Sequence, residues 1–254
     1  MKVIVLAAGY ATRLYPLTLT QPKPLLPVAG KPMIDWVLDN LAPIPGIDRV
    51  LIVTNAKFAG HFERWAADYR ARKTQLDFTI VNDGSTNDTN KLGAVGDLNL
   101  VLNRERVDDD LIVVAADNLF SQSLEAFGHF VRARQAPVVA LYDVGNLEEI
   151  RKYNAISVDA EGRITFFEEK PKEPKSTRTA IALYYYPRAT LPLIRQYVTE
   201  GNNPDQPGRL VQWMYPRTPF YTWTVPGLWF DIGSKESLAE ADRVFARLGG
   251  DKKG

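Results

Sequence analysis

Two basic side chains, Arg13 and Lys23, stand ten residues apart in the stretch Lys2 to Pro27, KVIVLAAGYATRLYPLTLTQPKPLLP. An apolar strand runs into a turn of small residues carrying Thr12 and Arg13, and Lys23 follows in a proline-flanked loop. Arg13 can grip phosphate oxygens bidentately, and Lys23 can serve as a point charge. Gly9 lends the turn conformational freedom, and Ala7, Ala8 and Ala11 let a ligand come close to the backbone. Backbone N–H groups, a guanidinium and an ammonium can therefore surround a polyphosphate. The turn lacks the G-x-G-x-x-G spacing of a dinucleotide site, and no Gly-Lys-Ser/Thr of a Walker A loop follows it. Taken by itself, it also reads as a tight strand-to-helix turn with a solvated Arg and Lys.

Two acidic residues end apolar runs. Asp117-Asn118 follows Leu111–Ala116, and Asp231 follows Leu228-Trp229-Phe230. Ligands of open α/β sheets sit at the carboxyl ends of strands. As local sequence, Asp117 reads equally as a turn residue or helix cap, and Asp231 as the start of a turn. The two form one site only if the fold brings their strand ends together. Glu169 and Lys170 read as solvated charges at a strand end. His61 and His129 have no visible ligand partner and read as surface or packing residues.

The elements that would position these groups alternate. Strand-like runs fall at 2–7, 49–54, 78–81, 111–115 and 137–142, with helix-like patterns at 33–41, 58–72, 92–102 and 124–134. This order predicts right-handed βαβ crossovers and a mainly parallel sheet covered on both faces. After about residue 150 the rhythm changes. A hairpin turns at Asp159-Ala160-Glu161-Gly162, further strands lie at 180–186 and 221–225, and antiparallel strands are expected at one edge of the sheet. Ser234 is placed to cap a helix over 235–248, and 251–254 reads as a frayed tail. The polar loop 83–91 is expected to be mobile or ordered by ligand. One domain over 1–254 is expected.

Composition narrows the partners. Lys plus Arg is 31 against 30 Asp plus Glu, so broad electrostatic binding to nucleic acid or an anionic membrane is not expected. No cysteine is present, which removes disulfides, thiolate metal sites and a cysteine nucleophile. No apolar run approaches the roughly 20 residues that cross a bilayer. With no cleavable leader in view, a cytoplasmic location is expected.

The string Leu6-Ala7-Ala8-Gly9, Thr12-Arg13-Leu14, Pro16, Thr18 and Pro22 to Val28 resembles the N-terminal signature of the sugar-1-phosphate nucleotidylyltransferases, with Ala11 where many relatives have glycine. Asp117-Asn118, Glu168-Glu169-Lys170-Pro171 and Trp229-Phe230-Asp231-Ile232-Gly233 match three later family blocks in order. The resemblance implies a Rossmann-like, GT-A-like α/β fold: a mixed, mainly parallel sheet flanked by helices, with extra antiparallel strands in the C-terminal half. It implies Mg²⁺ held by Asp117 and Asp231, with NTP and sugar 1-phosphate as substrates. Leu6, Ala7, Ala8, Gly9, Thr12, Arg13 and Lys23 fall on the nucleotide side. Asn118, Asn154, Glu169 and Lys170 fall on the sugar-phosphate side, with Lys170 on the 1-phosphate, which would make 1–145 mainly the nucleotide-binding half of the domain and 146–254 mainly the sugar-phosphate half. Asn154 and Ala182 stand where the family usually has glycine.

For the base, Asn82 and Gly93 are the candidates, Gly93 reading equally as a plain helix start. Arg13, Lys23, Asp117, Lys170 and Asp231 are the expected catalytic set, with dTTP or UTP as the favoured nucleotide. A non-catalytic nucleotide- or sugar-phosphate-sensing subunit and a nucleotide-sugar-dependent glycosyltransferase are the alternatives. The glycosyltransferase is disfavoured by the Lys-Pro-Leu-Leu-Pro block and by the absence of an obvious Asp-x-Asp. No hexapeptide repeat follows the last helix, so an attached acyltransferase is not expected; a homo-oligomer is left open.

Overall fold

A computed structural model describes residues 1–72 and 76–250. The expected tail at 251–254 lies outside the described residues. A seven-stranded sheet runs in the order Tyr221–Thr224, Val138–Asp143, Arg178–Tyr186, Leu111–Ala115, Lys2–Leu6, Arg49–Thr54, Phe78–Asn82. It is mixed and mainly parallel, as expected. Continuous apolar runs become strands covered on both faces: Val3 to Val5 and Leu111 to Val114 are at most 1% exposed.

The antiparallel element lies elsewhere than expected. Arg178–Tyr186 is antiparallel to both its neighbours and sits inside the sheet, between Leu111–Ala115 and Val138–Asp143. The edge position belongs to Tyr221–Thr224, which pairs parallel with Val138–Asp143. The reason is burial. Ala180, Ile181 and Leu183 to Tyr186 are all buried, and a strand buried over this length has its N–H and C=O groups paired on both sides, where an edge strand leaves one row open. The hairpin Asn154–Val158/Ile164–Glu169 forms its own two-stranded sheet, turning at Gly162 with φ 78°.

The described residues pack as two compact units interleaved in sequence: 1–4, 92–114 and 127–225 in one, and 5–72, 76–91, 115–126 and 226–250 in the other. In the second unit, Arg49–Thr54 pairs parallel with Phe78–Asn82, and the helix Ala59–Arg72 lays Trp65 and Tyr69 edge-on against Phe78. The helix Met33–Leu41 buries Met33, Ile34, Val37, Leu38 and Leu41 at helical spacing. The helix Lys235–Gly250 starts where expected: the Ser237 N–H donates to Ser234 Oγ (3.2 Å). Its Phe245 packs against Trp36 and Phe230. A short antiparallel pair, Asn118–Phe120 with Trp229–Asp231, completes this unit.

In the first unit, the helix Ala94–Arg104 begins two residues later than its apolar pattern suggests. Gly93 holds φ 78°, ψ 161°, outside helical space, and its Cα lies against the Pro204 and Asp205 backbone. A Cβ there would sit 2.7 Å from the Pro204 carbonyl oxygen. Helices Leu191–Thr199 and Pro207–Met214 pack beside it. No helix among the described residues is long and apolar enough to cross a membrane.

Candidate active site

The glycine-containing turn borders a cavity of about 210 Å³ lined by Leu6, Ala7, Gly9, Ala11, Arg13, Lys23, Pro24 and Asp117. The strained backbone of this turn falls at Ala11, which holds φ 49°, ψ 44°, rather than at Gly9. Gly9 contributes space instead: a Cβ built there would meet nothing within 4 Å. Left-handed geometry costs an L-residue roughly 1–2 kcal/mol. The buried Thr18 hydroxyl braces the turn, donating to the Ala11 carbonyl (2.8 Å). Asn55, which the sequence reading passed over, braces its other side. Its Nδ2 donates to the Ala8 carbonyl (2.9 Å), and its Oδ1 accepts from Phe58 N (3.1 Å). The signal was an amide side chain just past the carboxyl end of a strand with an apolar core, Val50 to Val53. Of the residues expected beside it, Ala8, Thr12 and Asp231 do not line this cavity.

Asp117 and Asp231 converge. The second strand pair sets Asp231 opposite Asn118 in register, and the Ile232 N–H donates to the Asp117 carbonyl (3.3 Å). Lys23 Nζ meets Asp117 Oδ2 at 2.5 Å in an ion pair whose side chains are 11% and 28% exposed. Burial opposes ionisation of Asp117, but the Lys23 ammonium and its hydrogen bond prevail and hold the carboxyl below its usual value. Asp231 goes the other way. Burial first, then the charge of Asp117, push it up to about 6 against the pull of Lys23 and Arg13. An ionised Asp117 on the cavity wall, with a second carboxyl at Asp231 that its charge disfavours ionising and two cations beside them, is a donor set suited to a divalent ion shared with phosphate oxygens. Arg13 lies over Gly233, where a Cβ would stand 3.8 Å from its Nη1.

The remaining predicted residues lie apart from this cavity's lining. Asn118 is buried and committed internally: Nδ2 donates to Asp117 Oδ1 (3.1 Å), and Oδ1 accepts from Trp229 Nε1 (2.8 Å). Asn154 clamps the neighbouring strand, donating to the Ala180 carbonyl (2.8 Å) and accepting from its N–H (2.7 Å). Asn82 Oδ1 accepts from Gly84 N (2.8 Å), opening the loop 83–91. That loop is braced from within. Asn90 Oδ1 accepts from Thr86 and Asn87 N–H, Asn87 Oδ1 from Thr89 N–H, and Ser85 Oγ lies 3.2 Å from the Tyr10 hydroxyl.

In the first unit, Lys170 occupies left-handed space with φ 54°, its N–H donating to the Tyr153 carbonyl (2.8 Å). Beside it, burial pushes the Glu169 carboxyl up to about 7, although Lys170 and Arg209 pull it down. Two residues missed in sequence support Glu169. Gln212 accepts from its N–H (3.1 Å), and Gly208 leaves room that any Cβ would take from its carboxylate.

A family model described as nucleotidyl transferase matches residues 2–247. The chain belongs to that family. It is 27% identical over 253 residues to a UTP–glucose-1-phosphate uridylyltransferase of Synechocystis, covering 96% of this chain and 63% of the relative. It is 25% identical over 245 residues to a glucose-1-phosphate thymidylyltransferase of Streptomyces antibioticus, covering 96% of this chain and 66% of the relative. The chain thus spans less than two thirds of the length of either relative. A crystal structure from Bacillus anthracis, provisionally assigned as a glucose-1-phosphate thymidylyltransferase, superposes with a TM-score of 0.82 at 25% identity, covering 97% of this chain and 95% of that one. The family assignment agrees with the resemblance carried by the four sequence blocks.

Proposed function

We propose that this nucleotidyl transferase moves an NMP group from an NTP, with dTTP or UTP favoured, to a sugar 1-phosphate, forming an NDP-sugar and pyrophosphate. The observation that carries the reading is the meeting of Asp117 and Asp231 with Lys23 and Arg13. A phosphate oxygen of the sugar 1-phosphate attacks the α-phosphorus of the NTP. The bond to the β-phosphate oxygen breaks, and pyrophosphate leaves. The nucleophile is already anionic, so no general base is needed, and rate comes from alignment and charge neutralisation. Arg13 and Lys23 hold the triphosphate and take up charge as pyrophosphate forms. Asp117 and Asp231 would hold Mg²⁺, which when bound neutralises phosphate charge and orients the reacting oxygens. The family resemblance supplies the other assignments, Lys170 for the incoming phosphate and Glu169 for sugar hydroxyls. A matrix of NTPs against sugar 1-phosphates with Mg²⁺, scored by pyrophosphate release, tests the proposal. One productive pair supports it; nucleotide binding with no turnover across the matrix would favour a sensing subunit instead.

A further inference from the structure

Asn118 and Trp229 carry no role in the reaction as proposed, yet they form a continuous buried chain ending on Asp117. The Trp229 indole N–H donates to Asn118 Oδ1 (2.8 Å), which leaves the amide only one orientation, with Nδ2 aimed at Asp117 Oδ1 (3.1 Å). Asn118 is 4% exposed and Trp229 9%, so water competes little for either bond. Lys23 holds the other oxygen, Oδ2. The strand ladder holds the two segments in one register through the backbone, Trp229 opposite Phe120 and Asp231 opposite Asn118, so that the indole reaches Asn118 diagonally. One antiparallel pair therefore carries both acids and the bonds that aim the first of them.

We propose that Trp229 and Asn118 are positioning residues that fix the carboxylate plane of Asp117 for cation binding. This rests on the function proposed above. The Asn118 amide dipole could not do this alone, since a rotated amide would present its oxygen to a carboxylate and repel it; the indole N–H makes that rotamer costly. Partners that orient a ligating group typically alter metal affinity by about 10–100-fold when removed.

The test is Mn²⁺ binding to the full chain, read by electron paramagnetic resonance with a non-hydrolysable α,β-methylene NTP present. Trp229→Phe keeps most of the ring but loses the donor. Its Mn²⁺ dissociation constant is expected to rise about 10-fold or more, with affinity for the metal-free nucleotide analogue unchanged within about twofold. Benzothienylalanine at 229, an indole isostere without the N–H, should behave alike and guards against a folding defect in the Phe variant. The double variant Trp229→Phe/Asn118→Leu should be no weaker than Asn118→Leu alone, because both substitutions break one chain. Wild-type Mn²⁺ affinity in the Phe and benzothienyl variants, or additive losses in the double variant, would overturn the positioning role and leave the proposed reaction standing. Failure of the wild-type chain to bind Mn²⁺ at all would overturn both.

Discussion

Lys23 and Asp117 show how much a single ion pair at a cavity decides. Replacing Lys23 with Met or Asp117 with Asn should lower pyrophosphate release by orders of magnitude while circular dichroism reports an intact fold; near-normal rates in both would remove the site. Acidity supplies a second reading of the same cluster. Asp231, pushed up to about 6, is charged above that pH and neutral below it. A divalent ion competes with that proton, so Mn²⁺ affinity should weaken as pH drops through about 6, and Asp231→Asn should remove that dependence. For stability the sign is opposite. A carboxyl whose folded pKa is raised binds its proton more tightly when folded, so stability is lost as pH rises. Glu169, raised to about 7 from 4.5, should cost stability progressively between those values. Glu169→Gln should then raise the melting temperature at pH 8, by up to about 3 kcal/mol of stability, and have no advantage below pH 4.5. Ala11 adds a backbone case: Ala11→Gly relieves roughly 1–2 kcal/mol of left-handed strain against roughly 0.5–1 kcal/mol of added unfolded-state entropy. A small net stabilisation in urea unfolding is expected.

Among the elements, most boundaries were legible and one placement was not. Strands 49–54 and 111–115 and helix 33–41 fall where their apolar periodicity puts them, because period and burial are local properties. The strand Arg178–Tyr186 was legible as a strand but not as an interior one, because sheet order depends on partners far away in sequence. Its unbroken apolar and aromatic run from Ala180 to Tyr186 was the available clue. Asn154 ties this strand to the hairpin through two hydrogen bonds to Ala180. Asn154→Ala removes the acceptor of the buried Ala180 N–H and leaves its carbonyl only the longer bond from the Thr179 hydroxyl (3.3 Å), and should cost about 1–3 kcal/mol, seen as a lower urea midpoint with an unchanged slope. The loop 83–91 looked mobile because it is polar, but polarity alone does not report internal bracing. Its Asn side chains are spent on its own backbone.

At the scale of the whole molecule, balanced charge leaves recognition to local groups: with a net charge of +1, labelled single- or double-stranded DNA should show no anisotropy change at 150 mM salt, and tight binding would contradict the charge argument. The sequence by itself determined the class of protein and the cavity's contiguous wall, Leu6 to Lys23, because a turn and its flanking strand are built from neighbours whose side-chain sizes and backbone preferences act over a few residues. Tertiary structure alone decided that Asp231 comes to Asp117, that Lys23 closes on the latter, and that Trp229 and Asn118 aim it. The first and last of these depend on the register of two strands more than a hundred residues apart, and the second on a loop 94 residues from its partner. No spacing rule carries that information, because such a register is selected by the summed burial of the whole core rather than by the residues that meet.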